Sequence, residues 1–261
     1  MSNERVALKE LLFQLADDDF LISYRGSEWL GLAPHIEEDV AFSSITQDTM
    51  GHATMYYNLL EELGEGNADA LAHLRSSAER RNSVLAERVN GEGYYMETPI
   101  YDWAYAVVRN YFYAQAKRVK IDSLRESSYA PLAEGAVKVS MELHYHLMHW
   151  RTWFTQLMSS TDEAEKRMTN AIKLVMEDFG DIFSYGQYKE DIESAGLIAT
   201  EEELTKNWIA ALTPVFESLG LAVPTIPAPV KNGRNGEHTD ELDTAIATLS
   251  EVYRLDVEAV W

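Results

Sequence analysis

Seven histidines and forty-three acidic residues are the side chains from which this chain could build a reactive centre, and no cysteine accompanies them. In a helical protein the first chemistry to test is a dinuclear metal site built from inward-facing Glu and Glu-x-x-His pairs on neighbouring helices. Three residues span about 300° of rotation and nearly one turn of rise, so both side chains reach one point in a core. Carboxylates there neutralise and bridge hard cations while imidazoles complete the coordination. Three positions before His35, His52, His73, His144, His146, His149 and His238 stand Leu32, Thr49, Ala70, Met141, Leu143, His146 and Asn235. None is an acid. The stretch from Trp103 to Ile121 also contains no Asp or Glu, so a helix there cannot supply a bridging carboxylate. Two hard divalent cations would find too little negative charge.

The i, i+4 spacing also places two groups on one helix face, and Asp48/His52, Asp69/His73 and Glu142/His146 satisfy it. Two readings fit. One is a single metal held by Glu28, His52 and His146. The other is a structural polar network of Asp48, His52, Glu142 and His146, in which acids fix the tautomer and orientation of imidazoles without metal. Other catalytic classes have less support: there is no glycine-rich phosphate loop between a strand and a helix, and no nucleophile elbow around a serine.

The elements that must position these residues read as helices. Four of the seven prolines (Pro214, Pro224, Pro227 and Pro229) cluster near the C-terminus, leaving long proline-free stretches upstream. Apolar residues recur at three-to-four spacing from Val6 through Leu15, over 36–64 and 67–89, and again over 100–125 and 131–159. Turn chemistry at Gly31 to Pro34, Gly64 to Asn67 and Asn90 to Gly93 separates them. Pro131 suits a first helical turn, and Ser160-Thr161-Asp162 suits a cap. No stretch alternates with period two for long enough to demand a strand. The expectation is a single all-α domain over 1–261: a bundle over 1–220, an irregular arm over 221–238 and a last helix over 239–255.

A net charge of −21 disfavours nucleic acid and anionic membranes as partners. Residues 1–30 carry Glu4, Asp17, Asp18 and Asp19 rather than a basic leader, and no run of eighteen apolar residues occurs, so the expected location is cytoplasmic. Charge is uneven: residues 101–160 hold seven basic residues against five acidic ones. Arg109, Lys117 and Lys120 share a helical face by spacing, which reads either as a solvated face or as a strip for an acidic partner or a ligand phosphate. Eight aromatics lie between Tyr94 and Tyr113. Tyr101, Trp103 and Tyr105, with Arg109, Lys117 and Lys120, form the candidate interface.

Several segments in order carry a family likeness: Leu15-Ala16-Asp17-Asp18, Ser27-Glu28-Trp29, Ala33-Pro34 followed by Glu37-Glu38-Asp39, Gln47 to His52, Glu142 to His146, and Gly233-Arg234-Asn235-Gly236-Glu237-His238-Thr239-Asp240-Glu241-Leu242. Together they resemble the PaaC-type structural subunit of the bacterial phenylacetyl-CoA 1,2-epoxidase, over nearly the whole chain to Trp261. The resemblance implies a ferritin-like four-helix bundle with additional helices, diverged from the di-iron subunit of the same oxygenase by loss of its metal site. Carried over, a lone ligand Glu corresponds to Glu28, the first Glu-x-x-His to Thr49 and His52, the second to Leu143 and His146, and the remaining carboxylate to Ala114. The implied role is a non-catalytic subunit that holds no cofactor, stabilises a homologous di-iron partner and helps assemble a complex that epoxidises the ring of phenylacetyl-CoA in phenylacetate catabolism. Expected partners are that di-iron subunit, the other subunits of the complex and a second copy of the chain. The competing reading is an autonomous ferritin-like metal-binding oxidoreductase with a reduced site.

Overall fold

A computed structural model describes residues 3–259, so Trp261 lies outside the described residues. In chain order the helices are α1 (Asn3–Ser27), α2 (Ile36–Glu62), α3 (Ala68–His73), α4 (Val84–Glu87), α5 (Trp103–Leu124), α6 (Ala130–Met158), α7 (Asp162–Glu177), α8 (Lys189–Ser194), α9 (Glu201–Ser218) and α10 (Asp240–Ser250). A two-residue antiparallel pair, β1 (Gly91–Glu92) with β2 (Ile100–Tyr101), precedes α5. The class is all-α, as the apolar periodicity implies. The chain divides into two compact units, one formed by the residues up to Val89 together with those from Lys231 onward, the other by Asn90–Val230. Each contains one antiparallel pair of long helices, the element content of a ferritin-like fold.

Helix starts follow local chemistry. His35 Nδ1 accepts the Glu38 N–H at 3.3 Å to open α2, and Glu37, Glu38 and Asp39 in its first turn complement the positive end of the helix dipole. Asp102 accepts from Ala104 N–H (2.8 Å) and starts α5 two residues past the strand, so the expected helix from residue 100 begins at Trp103. Thr161 caps α7 through Ala164 N–H (3.2 Å), and Pro131 sits in the first turn of α6.

In the first unit α1 packs antiparallel on α2: Asp17 meets Tyr57, and Ser23 donates to Met50 Sδ. The helix expected over 67–89 is broken into α3, a 3₁₀ turn at Ser77–Glu79 and α4. Its backbone is claimed from outside. Arg81 N–H donates to Asp17 Oδ2 (2.8 Å) and Ser83 N–H to Asp18 Oδ1 (2.7 Å), bonds that a continuous helix would have spent internally. The C-terminal segment closes this unit. Gly233 lies so near residue 82 that a Cβ would stand 1.9 Å from the Asn82 carbonyl oxygen. The last regular helix is shorter than the expected 239–255, because α10 ends at Ser250 and a 3₁₀ turn follows at Tyr253–Leu255.

The second unit is built around α5, which packs against α6, α7 and α9. Its core is aromatic. Phe112 is edge-on to Trp208 (5.6 Å) and Phe179 (6.1 Å), Tyr111 and Phe112 meet Phe154, and Trp208 Nε1 donates to the Phe112 carbonyl at 3.2 Å. Residues 221–230 are irregular and pass against Gly180, where a Cβ would lie 2.7 Å from Pro229 Cα.

Candidate functional site

Glu28 stands one residue past α1 and is buried, and Arg25 Nη1 donates to its Oε1 at 3.1 Å. Arg25 is itself fixed by its Nε and Nη2 on the Glu87 carbonyl (2.9 and 2.6 Å). The one acid retained among the carried-over ligand positions thus sits beside a buried guanidinium. Thr49 and His52 lie one turn apart on the buried side of α2, and Thr49 Oγ1 donates back to the Ile45 carbonyl at 2.8 Å. That bond satisfies the hydroxyl within its own helix.

In the second unit Leu143 and His146 lie one turn apart on α6, both buried, and Ala114 is buried on α5. Ala114 and Lys117 share a face of α5 by their i, i+3 spacing, and Lys117 is only 7% exposed. A buried lysine side chain therefore occupies the face on which the remaining carboxylate would be sought. Of the acids in the expected polar network, Asp48 is half-buried and Glu142 is exposed, although His52 and His146 are both buried. Among the described residues no three His, Asp or Glu side chains are grouped so as to hold a metal ion. Thr49, Leu143 and Ala114, to which the resemblance assigns three of the ligand carboxylates, carry none.

The expected interface strip needs correction. Arg109, Lys117 and Lys120 are 0, 7 and 8% exposed, so they are neither a solvated face nor a docking strip for protein or phosphate. The cause is that α5 is enclosed by α6, α7 and α9. Arg109 donates to Asn90 Oδ1 and lies over the Tyr105 ring, and Lys120 Nζ lies 5.9 Å from the Phe183 centroid. Tyr101, Trp103 and Tyr105 are half-buried, and Trp103 packs on Trp150 and Trp153. Tyr111 belongs to the core, where burial pushes its hydroxyl up to about 12 against a smaller lowering by Arg151.

The strongest electrostatic cluster lies in α1, where Asp17, Asp18 and Asp19 are all buried. Asp17 Oδ1 accepts from the Tyr57 hydroxyl (2.6 Å) and Arg80 Nη1 (3.2 Å), and Arg75 grips both carboxylate oxygens. Burial alone would raise its pKa. The Arg75 and Arg80 charges, with the hydrogen bonds, prevail and hold the carboxyl well below the usual range. Asp18 takes both Nη atoms of Arg234 at 2.9 and 2.8 Å. Farther along the C-terminal segment, His238 Nδ1 meets Glu87 Oε2 at 2.7 Å, and Glu241 binds Arg88 (2.6 Å) and the Val89 N–H (2.7 Å). These residues hold structure, and their partners are separated in sequence by up to 216 positions. The visible signal was three consecutive acids inside an apolar-periodic helix.

One open cleft of about 600 Å³ lies within the second unit, lined by Gln115, Arg118, Asp122, Glu126, Glu203 and Asn207 among others. Its cation is engaged, since Arg118 Nε donates to Asp122 Oδ2 at 2.9 Å. No helix among the described residues is long and apolar enough to cross a membrane.

A family model described as "Phenylacetic acid catabolic protein" matches residues 1–261. Among curated proteins, the chain is 28% identical over 243 residues to one of the subunits of the 1,2-phenylacetyl-CoA epoxidase of Escherichia coli (strain K12), covering 93% of this chain and 94% of that relative.

Proposed function

This chain belongs to the family of phenylacetic acid catabolic proteins, and from that premise we propose that it is a non-catalytic structural subunit of a phenylacetyl-CoA epoxidase-type complex. In this reading it pairs with a homologous di-iron subunit in the cytoplasm and takes no part in oxygen chemistry itself. One observation carries the proposal: at the two carried-over Glu-x-x-His positions the histidines His52 and His146 remain, buried, while buried Thr49 and Leu143 replace their acids. An imidazole pair with Glu28 as its single carboxylate leaves most of the charge of two divalent cations uncompensated. Burial of Lys117 on the face of Ala114 works in the same direction.

The contribution of such a subunit is mechanical. Its side chains bind no reacting atom. The buried ion pairs of α1 and the aromatic core around Phe112 make each unit a firm support against which the partner's metal-bearing helices are held in orientation. Iron in the partner supplies dioxygen activation.

Co-expression with a catalytic-type homologue tests the proposal by metal analysis and turnover of phenylacetyl-CoA, for each chain separately and for the two together. The expected result is iron in the partner only, activity that needs both chains, and no change in bound iron when His52 or His146 of this chain becomes alanine. Stoichiometric iron in this chain alone, lost on changing Glu28, His52 or His146, would establish the autonomous metal protein instead.

A further inference from the structure

Of the three acid/histidine pairs at i, i+4 spacing, Asp69/His73 lies outside the carried-over ligand positions, and its imidazole sits where a late turn of the chain docks. His73 ends α3. Its ring stacks on Tyr253 of the 3₁₀ turn Tyr253–Leu255, with centroids 5.1 Å apart and planes at 24°, and Phe20 of α1 meets it edge-on at 5.5 Å. The turn is shallowly seated. Val252 and Leu255 are 60 and 82% exposed, and Arg254 Nη2 donates to the His73 carbonyl at 3.5 Å. A segment with so few buried contacts opens locally before the rest of its unit does.

The seat suits a neutral ring. His73 Nδ1 is shut off from solvent and has no hydrogen-bond partner among the described residues, so the proton of the neutral ring belongs on Nε2 and a second would be stranded on Nδ1. The charged groups facing the ring are the exposed Asp69 on α3 itself, Arg80 from the segment that follows α3, and Arg254 from the docked turn. From α10 it meets the Leu249 backbone, and from α1 the uncharged Phe20, while Asp17 of α1 is held by Arg75 and Arg80. Burial first and the Arg80 charge second hold the ring below the ordinary 6.5, and the Leu249 backbone and Asp69 act more weakly in the other direction. A cationic ring would be drawn to the face of Tyr253, but that attraction is smaller than the cost of a charged N–H buried without an acceptor.

We propose that the stack of His73 on Tyr253 is an acid-released latch: protonation of His73 frees the Tyr253–Leu255 turn from α3 while α1 and α2 stay folded. The released ring takes up its proton near 6.5 and the docked ring only at lower pH. The docked state is therefore fully favoured above 6.5 and loses ground as pH falls from there toward the docked value. Neither the function proposed above nor the location of iron enters this inference.

Because the chain has no cysteine, Leu255→Cys gives a single exposed attachment point for a nitroxide, whose mobility is read by electron paramagnetic resonance on the full chain. The expected result is a mobile population that grows about threefold or more between about pH 7.5 and pH 5, with the helical circular dichroism unchanged. His73→Phe and His73→Gln both remove the titrating proton, the first keeping a ring in the stack and the second keeping polarity. In neither should label mobility change with pH. Tyr253→Ala should leave the label mobile throughout, which ties the signal to the stack. A label whose mobility is constant over that range in the original chain overturns the proposal. So does a transition that persists in both His73 variants, a label still held in Tyr253→Ala, or mobility that appears only as helical signal is lost.

Discussion

Arg234 places its two terminal guanidinium nitrogens on the two oxygens of Asp18, at 2.9 and 2.8 Å, across 216 positions of sequence. Both residues are buried, and the same guanidinium donates to the Arg81 carbonyl at 2.6 Å. A parallel fork of this kind is the strong geometry for an arginine–carboxylate pair. It joins the middle of α1 to the C-terminal segment and fixes where that segment lies within the first unit.

Removing one partner of this pair strands a buried charge. Asp18→Ala and Arg234→Ala should each cost about 3–5 kcal/mol in urea unfolding, and the double variant should cost less than their sum. Additive losses would mean that the two side chains act independently.

Acid should weaken the first unit through Asp17. Its folded pKa lies well below the ordinary 3.8, so in between the unfolded chain binds the proton and the folded chain does not. Its contribution to stability is therefore full above the unfolded value and is lost as pH falls through the folded one. Urea midpoints measured from pH 6 downward should fall more steeply below about pH 4 for the original chain than for Asp17→Asn, which starts less stable.

Gly180 is the position over which the proline-rich arm passes, and Gly180→Ala would drive a methyl into the Pro229 backbone. The arm should lift, at a cost of about 1–3 kcal/mol, and limited proteolysis should cut between residues 221 and 230 faster than in the original chain.

Leu143 is 1% exposed at the position where the carried-over pattern has a metal-binding acid. Leu143→Ala should cost about 2–5 kcal/mol as a cavity, and Leu143→Glu should destabilise at least as much without raising bound iron. Calorimetry and metal analysis on the same samples separate the two effects.

Two helix starts were legible because they are local: Thr161 and Pro131 act within a turn of where they stand. The missing acids at Thr49 and Leu143 were legible for a simpler reason, since residue type alone decides that a carboxylate is absent. The break of 67–89 was not, because its causes, Asp17 and Asp18, lie more than sixty positions away and take the Arg81 and Ser83 amides. Nor was the burial of Arg109, Lys117 and Lys120. Charge and spacing alone point such a row to solvent, and only the packing of α6, α7 and α9 around α5 encloses it. The partners of Asp17 and Asp18 were equally hidden, because adjacent acids in a helix mark a site without naming Arg75, Arg80 and Arg234, which arrive from distant segments.

Because Gly233 and Arg234 finish a unit whose other members precede Asn90, that unit cannot be completed in the order in which the ribosome makes it. The intervening residues are synthesised first, so the second unit is free to mature while α1 still holds Asp18 without its guanidinium. Nascent chains arrested before Gly233 should consequently display a protease-sensitive amino-terminal third beside a resistant middle, and release of the last thirty or so residues should be the event that seals it.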